Sequence, residues 1–509
     1  MGQLNNNKRI AKNTMYLYAR MFLVMAISLI TVRVLLRTLG VEDYGTYNAV
    51  AGFVSSLVFV SSVLSAASQR FFSFYIGKND NIKLQKTFTM IILTYLIVIG
   101  IIMIVAETVG VWFVFNKMTI PIGRESAVMW VFQMSLLTCG FSLISTPFQA
   151  LIISHEEMNI YASISIIEVI LKFGVLFILP LFSVDKLALY SVLHCLVFGG
   201  IGATYIVISR RRYKETRFTF NWDKAMFKDI FSYSSWSLFG SLAGMCNTQG
   251  VNMLLNVFYG PIANAAYAIS AQISAAVSQF SSSFYTAVRP ALIKSYASNE
   301  FCYMNELFML SNKVLFILML ILILPIYVIT EPLIKLWLGD VEQYMVEFTR
   351  LSLVYTFILS LSNPITTIVQ AANKVKYYHG IVDTFTLVSL PVIYFLFKSD
   401  ISPVYAYITT IIVFALAHIL RLMVLRRTIV FSVKRYLQQF ILPSSFAIVL
   451  SGTFVYPLFY IKWDNIFFEI IVCSLIVVIV SVGICSLFVL NTEERRMILG
   501  LIKNKIQKK

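Results

Sequence analysis

The chain has 509 residues, of which 59% are hydrophobic and only 13% are charged, and its mean hydropathy is +0.80. Soluble domains carry about 45–50% apolar and about 25% charged residues, so this chain has too little polar surface to form water-soluble domains. The composition therefore indicates an integral membrane protein.

A net charge of +17 would raise the question of nucleic acid in a soluble protein. In a membrane protein it is the excess that the positive-inside rule produces, and we expect no nucleic-acid partner.

A helix needs roughly 20 apolar residues to cross the hydrocarbon core of a bilayer. A scan of the chain with this length predicts fourteen spans, at 14–36, 44–65, 88–115, 127–152, 158–180, 186–209, 230–256, 262–285, 312–332, 346–370, 377–398, 402–424, 436–458 and 465–489. Spans seven and eight are the weakest, because they are rich in Ser, Asn and Gln. The predicted fold class is an all-α polytopic membrane protein.

The basic residues indicate how these spans are oriented. With both termini in the cytoplasm, 29 of the 41 Lys and Arg residues lie in the inner segments, 7 in the outer loops and 5 within spans. Cytoplasmic segments of membrane proteins carry such an excess. We therefore predict that the N- and C-termini are both cytoplasmic.

Spans one and two resemble spans seven and eight. The segment VLLRTLGVEDYGTYNAV (34–50) aligns with MLLNVFYGPIANAAYAIS (253–270), and the alignment pairs Gly40 with Gly260 and Tyr47 with Tyr267. An even number of spans separates the two copies, so both have the same orientation. Parallel repeats of this kind are related by an axis along the membrane normal.

The repeat predicts two six-helix lobes related by a pseudo-two-fold axis along the membrane normal, followed by two additional helices. The predicted divisions are an N-terminal lobe at 1–209, a basic cytoplasmic linker at 210–229, a C-terminal lobe at 230–424, and two further helices with a basic cytoplasmic tail at 425–509. This arrangement is typical of alternating-access carriers, whose substrate site lies between the lobes.

Enzymatic chemistry has little support in the sequence. No predicted loop is longer than about 25 residues, so the spans leave no room for an extramembrane catalytic domain. The chain also lacks the Walker-type GxxxxGK[ST], HExxH and GxSxG motifs, which hold phosphates, zinc and a serine nucleophile respectively. We expect a transporter without a catalytic residue, a metal site or a cofactor.

Polar residues within the predicted spans are candidates for a hydrated cavity, because polar groups are costly in hydrocarbon. In span seven a polar stripe recurs three, four or seven positions apart on one face of a helix, formed by Ser234, Ser237, Ser241, Thr248, Asn252 and Asn256, and Asn247 and Gln249 flank it. The candidates are Asn247, Gln249, Asn252 and Asn256, with Gln272 on span eight. Close helix packing through small residues is the alternative, and both interpretations stay open.

The single imidazoles of His194 and His418 are interpreted as packed side chains.

Charged residues within spans form a second set of candidates. Glu168 and Lys172 lie four residues apart with the acid first, the favourable order for a helical pair, and form either a neutral pair or a proton-linked site. Arg20 and Arg33 of span one lie about 140° apart around a straight helix, so snorkelling to the interfaces is as consistent as a cavity position. Asp383 of span eleven is a third candidate, closer to a span end.

Six segments resemble one family of membrane proteins. They are TVRVLLRTLGVEDYGTYNAVAGFVSS (31–56), SAASQRFFSF (65–74), AETVGVWFV (106–114), IPIGR (120–124), ISHEEMNIYASISIIEVILK (153–172) and QGVNMLLNVFYGPIANAAYAIS (249–270). In these segments the chain resembles the Wzx-type polysaccharide and O-antigen flippases of the multidrug/oligosaccharidyl-lipid/polysaccharide (MOP, MATE-like) exporter superfamily. The likeness extends over most of the chain and is strongest up to about residue 300.

The resemblance implies a flippase that moves undecaprenyl-diphosphate-linked oligosaccharide repeat units across the bacterial cytoplasmic (inner) membrane, for O-antigen, capsule or exopolysaccharide assembly. It implies a cationic cavity in which Arg20 and Arg33 hold the diphosphate, with Glu168 and Lys172 as a secondary site. It also implies coupling to an H⁺ or Na⁺ gradient. The implied partners are the lipid-linked substrate, membrane lipids, a polysaccharide polymerase and glycosyltransferases.

Two other functions stay open. A small-molecule or cation antiporter could use the same scaffold, but an exporter of cationic drugs is expected to carry an acid in its first lobe, and span one has two arginines and no acid. A membrane enzyme of polysaccharide assembly, such as a polymerase, is the other alternative. The short outer loops count against it, because such enzymes build their sites on a large outer loop.

Overall fold

The computed structural model is helical throughout the part of the chain that it describes. It describes residues 2–40, 43, 44, 46, 47, 50–52, 54, 59–117, 123–217, 223–339, 341–461, 465–492, 494 and 495. A helical architecture follows from the apolar composition, because a backbone in hydrocarbon must satisfy its hydrogen-bonding groups within each segment.

The chain divides into two compact units, and the boundary between them lies at residues 238 and 239. The first unit, Arg9–Leu238, is called the N-terminal unit. Its helices are α1 (Gly2–Leu39), α2 (Phe59–Gly77), α3 (Asn81–Val105), α4 (Val111–Lys117), α5 (Glu125–Ser154), α6 (Met158–Ile178), α7 (Lys186–Arg212) and the beginning of α8 (Lys224–Ala297). A π-helical turn, Ala106–Gly110, joins α3 to α4.

The second unit, which comprises Phe239–Lys509 together with Met1–Lys8, is called the C-terminal unit. After α8 its helices are α9 (Phe301–Val328), α10 (Thr330–Leu338), α11 (Met345–Ser360), α12 (Asn363–Ala371), α13 (Val375–Tyr378), α14 (Thr384–Thr386), α15 (Ser389–Lys398), α16 (Tyr405–Thr428), α17 (Val433–Tyr436), α18 (Leu442–Val455) and α19 (Ile466–Phe488). Short π-helical turns connect α13 to α14 and α17 to α18. The lobe boundaries expected from the sequence stay predictions.

Ten helical stretches of the described residues are long and apolar enough to cross a membrane. They correspond one for one to predicted spans three to six and nine to fourteen. Span one falls on α1, spans seven and eight fall on α8, and span two lies partly outside the described residues. The four spans without a counterpart among the ten are therefore the two pairs that form the sequence repeat. The total of fourteen stays a prediction.

A kink at Gly260 divides α8, whose 74 residues consist of two helices joined end to end. Gly260 has φ 77° and ψ −166°, a backbone region that essentially only glycine adopts. A Cβ at this position would meet nothing within 4 Å, so glycine is required by conformation and not by space. The kink separates predicted spans seven and eight.

The sequence repeat has a counterpart in the backbone. Positive φ angles recur at corresponding points of the two halves, at Gly40 and Gly260, Asn79 and Asn299, Gly123 and Tyr344, and Glu156 and Asn373. The aligned tyrosines make equivalent contacts: Tyr47 packs on Tyr190 with ring centroids 4.9 Å apart, and Tyr267 packs on Tyr407 at 5.3 Å. The two halves therefore share one order of turns and one aromatic contact.

Polar contacts tie loops together at opposite ends of α5. At its beginning, Arg124 forms ion pairs with Asp43 and Asp185. After its end, His155 Nε2 lies 2.6 Å from Glu215 Oε1. Burial raises the pKa of Glu215, but the hydrogen bond with His155, a backbone hydrogen bond and the charge of His155 together lower it by more, so the net pKa lies below the ordinary value. These contacts fix the loops of the N-terminal unit.

The last two long helical stretches pack against α9. Val455 and Val477 join Val328 in one buried apolar cluster. Lys313 of α9, whose side chain is only 2% exposed, forms an ion pair of 2.8 Å with Glu494. Apolar packing and this ion pair therefore hold the helices α18 and α19 and the residues after them against α9.

Replacing Gly260 by Ala should destabilise the protein by about 1–3 kcal/mol, because alanine cannot adopt this backbone conformation without strain. The matched control is Gly244→Ala, which lies within α8 at a helical position with equally open space around the Cβ. This control should gain up to about 1 kcal/mol, because alanine favours the helix. Thermal unfolding of the detergent-solubilised protein measures both effects, and an unchanged Gly260→Ala variant would contradict the role of the kink.

Candidate functional site

A cavity of 240 Å³ lies between α1 and α6 in the N-terminal unit. Its lining residues are Arg20, Val24, Ser28 and Thr31 from α1 and Ser165, Glu168, Val169 and Lys172 from α6. The intervals of three and four residues place each set on a single helix face. We call this space the charged cavity.

Two cations and one carboxylate line the charged cavity. Lys172 Nζ lies 2.5 Å from Glu168 Oε1, and each of these side chains is 23% exposed. The Arg20 guanidinium lies 4.9 Å from the ring centroid of Tyr161, in a cation–π contact. The Glu168–Lys172 pair cancels its own charge, so the described residues that line the cavity carry one net positive charge, from Arg20.

The Arg20 guanidinium also has an unused donor. Its Nε is buried and has no hydrogen-bond partner among the described residues. A buried donor without an acceptor is costly, and guanidinium groups form strong, charge-assisted hydrogen bonds with carboxylates and phosphates. The charged cavity is therefore suited to an anionic group. Arg33, the other basic candidate of α1, has its side chain outside the described residues.

The polar residues of α8 lie in different surroundings. Asn247 is buried, and its Nδ2 donates to the carbonyl oxygen of Thr386 at 3.1 Å and to Ser389 Oγ at 2.5 Å. Asn252 Oδ1 accepts a hydrogen bond of 2.6 Å from Asn264 Nδ2. Both asparagines thus make contacts between helices, which is the packing interpretation of the polar stripe.

Three other candidates of α8, Gln249, Asn256 and Gln272, are exposed. Their role in a cavity stays a prediction. The polar residues of α8 are therefore mixed, because some of their amides are packed between helices and others are exposed.

Asp383 belongs to a buried pair that sequence analysis did not identify. His379 Nδ1 lies 2.5 Å from Asp383 Oδ2, within the π-helical turn between α13 and α14. The Nε2 atom of His379 is buried without a hydrogen-bond partner in the described part of the chain. A Cβ at Gly240 would overlap both side chains. The sequence signal for this pair is its spacing, because side chains four residues apart are neighbours on a helix.

A second cavity of the N-terminal unit has a volume of 300 Å³. We call it the aromatic cavity, and its lining residues are Tyr47, Ala51, Val54, Ser135, Thr138, Cys139, Ser142, Ser191, His194 and Phe198. None of these ten residues is an acid, a lysine or an arginine. His194 packs on the rings of Tyr47, Tyr190 and Phe198, as a packed imidazole would. The imidazole of His194 also lines the aromatic cavity. A single histidine within a predicted span gave no sign of this cavity in the sequence.

Two family models match the chain. The model described as polysaccharide biosynthesis protein matches residues 10–296, which is more than half of the chain. The MatE model matches residues 241–395. No curated protein matches the chain significantly.

Solved structures share its fold. A MATE structure in the straight conformation is 13% identical, with 83% of this chain and 96% of that chain covered and a TM-score of 0.69. A MOP superfamily transporter from Pyrococcus furiosus, whose binding pocket is described as having reverse polarity, is also 13% identical, with coverage of 82% and 95% and a TM-score of 0.68. A mutant of a Vibrio cholerae MATE transporter is 14% identical, with coverage of 84% and 99% and a TM-score of 0.66.

These likenesses are consistent with the helical architecture and the ten membrane-length stretches. At 12–14% identity the solved structures establish the fold, which is that of MATE transporters. The family model covers most of the N-terminal unit and continues into α8. The chain therefore belongs to the polysaccharide biosynthesis protein family within the MOP superfamily of exporters, and is a multi-pass membrane transporter.

Proposed function

We propose that this transporter is a flippase for undecaprenyl-diphosphate-linked oligosaccharide repeat units, which it moves across the bacterial cytoplasmic membrane by alternating access. The observation that carries the proposal is the net positive charge of the charged cavity. A diphosphate brings negative charge and several acceptor oxygens, and fixed cations stabilise it most where the dielectric constant is low. The match of the polysaccharide biosynthesis model to residues 10–296 supports the same substrate class.

An antiporter of small organic molecules is the second candidate, favoured by the MatE match at residues 241–395 and by the MATE fold. The charges distinguish the two functions. A site for organic cations needs an unpaired carboxylate, whereas Glu168, the acid among the described residues that line the charged cavity, is already paired with Lys172. A polymerase, the third candidate, would lengthen lipid-linked repeats in liposomes without moving them across the bilayer.

The His379–Asp383 pair is our proposed coupling site. The pair combines one nitrogen base with one carboxylate, whereas Na⁺ prefers a shell of oxygen atoms, so its chemistry suits H⁺ better than Na⁺. The π-helical turn that holds the pair is a geometry often found at functional sites. The backbone of Gly240 lies so close to His379 and Asp383 that little room remains beside the pair for a hydrated ion.

Charge reversal by Arg20→Glu should reduce flipping by at least about tenfold, because a charge-assisted hydrogen bond to phosphate is lost and a repulsion replaces it. Arg37→Glu is the matched control, since Arg37 lies on the same helix and is exposed. Flipping of a fluorescent undecaprenyl-diphosphate oligosaccharide in proteoliposomes is the measurement. An Arg20→Glu variant that flips this lipid normally while exporting organic cations would favour the antiporter.

The two members of the Glu168–Lys172 pair should differ in importance. Lys172→Gln should reduce flipping by about tenfold or more, because Glu168 then opposes the diphosphate. Glu168→Gln should retain at least wild-type flipping, because it adds net positive charge to the cavity. If the pair served only the fold, both single variants would lose activity equally and the double variant would recover it. The same liposome assay and thermal unfolding separate these outcomes.

Asp383→Asn should abolish the acceleration of flipping by an imposed proton gradient and leave flipping without a gradient nearly unchanged. Gly240→Ala should weaken the same acceleration, because its Cβ displaces both members of the pair. The control is Asp400→Asn, which changes an exposed carboxylate in a turn of the same unit. Acceleration of the wild type by a sodium gradient at constant pH would contradict proton coupling.

A further inference from the structure

The aromatic cavity combines two kinds of surface that seldom occur together inside a membrane protein. The rings of Tyr47, His194 and Phe198 supply flat apolar faces, and four hydroxyl groups come from Ser135, Thr138, Ser142 and Ser191. On α5 and α7 these residues recur at three, four or seven positions, so each helix presents one face. An apolar pocket with a few convergent polar groups is the usual form of a small-molecule site.

His194 adds an imidazole to the polar groups that line the aromatic cavity. Its ring makes contacts with three aromatic side chains, and neither ring nitrogen has a hydrogen-bond partner among the described residues. A neutral imidazole offers one donor and one acceptor, and both are open to a molecule that occupies the cavity. A lipid tail in the cavity would not satisfy them, whereas a hydroxylated molecule would.

The two cavities of the N-terminal unit meet at one side chain. The ring centroid of Phe198 lies 3.8 Å from Lys172 Nζ, which lines the charged cavity. The same ring lies 5.0 Å from the ring of His194 in the aromatic cavity. A group held by Lys172 and Arg20 therefore has the neutral, aromatic space next to it.

From these observations we infer that the aromatic cavity binds the sugar ring that is bonded directly to the diphosphate. The inference rests on the proposed flippase function. A sugar ring has apolar C–H faces that pack on aromatic rings, and a rim of hydroxyls that exchange hydrogen bonds with serine, threonine and imidazole groups. A volume of 300 Å³ is at the lower limit of small-molecule pockets and suits one ring, not a chain of rings.

The test compares the binding of two lipids to the full chain in nanodiscs. The probes are undecaprenyl diphosphate bearing a single N-acetylglucosamine, and undecaprenyl diphosphate without a sugar. The wild type should bind the sugar-bearing lipid about tenfold more tightly. The variants are His194→Phe, which keeps an aromatic ring and removes both nitrogens, and Thr138→Val, which keeps the shape and removes the hydroxyl. Each should lose most of this preference and bind the bare lipid as the wild type does.

Thr204→Val is the matched control for Thr138→Val. Both threonines lie on long helices and donate to the carbonyl oxygen four residues earlier, at 2.7 Å from Thr138 to Met134 and at 2.9 Å from Thr204 to Gly200. Thr204 is exposed and does not line the aromatic cavity. The control should keep the full preference for the sugar-bearing lipid, and thermal unfolding confirms that each variant is folded.

The outcomes separate this inference from the proposed function. Binding of neither lipid by the wild type would overturn the flippase proposal and the sugar site with it. Equal binding of both lipids, or a preference that survives His194→Phe and Thr138→Val, would overturn the sugar site alone. Arg20→Glu should weaken the binding of both lipids equally, because it acts on the diphosphate.

Discussion

An excess of one positive charge inside an apolar bundle is the feature on which the proposed function depends. Burying a cation in a membrane protein costs free energy. The ion pair with Glu168 offsets this cost for Lys172. Among the described residues, Arg20 contacts the face of the Tyr161 ring, and its Nε donor has no hydrogen-bond partner. An anion in the cavity would balance its charge, and the proposed anionic substrate rests on this argument.

The repeat relates this cavity to the His379–Asp383 pair. In the N-terminal unit the charged cavity lies between predicted spans one and five, and in the C-terminal unit Gly240 of span seven meets the pair on span eleven. Because spans one and seven correspond in the repeat, and spans five and eleven follow them at the same interval, both sites use the same helix pair of their half. One scaffold position thus carries the proposed anion site in one half and the proposed coupling pair in the other.

Composition and periodicity predicted the helical class and the ten membrane-length stretches, because hydrophobic length alone decides whether a helix can span a bilayer. The alignment of Gly40 with Gly260 also anticipated two equivalent backbone turns. The neighbours of each polar residue could not be predicted in this way. Spacing gives the face of a helix but not the helix that packs against it, so Arg20 and the Glu168–Lys172 pair were separate candidates until the fold placed them in one cavity.

The contact of Phe198 with both Lys172 and His194 separates two tasks that a single site would have to combine. Cations attract any diphosphate, because charge interactions act over distance and discriminate little between sugars. A neutral cavity discriminates through shape and a few hydrogen bonds, since an unmatched buried polar group is costly. Substitutions around His194 can therefore change the sugar that is accepted while the charged cavity keeps its affinity for the diphosphate.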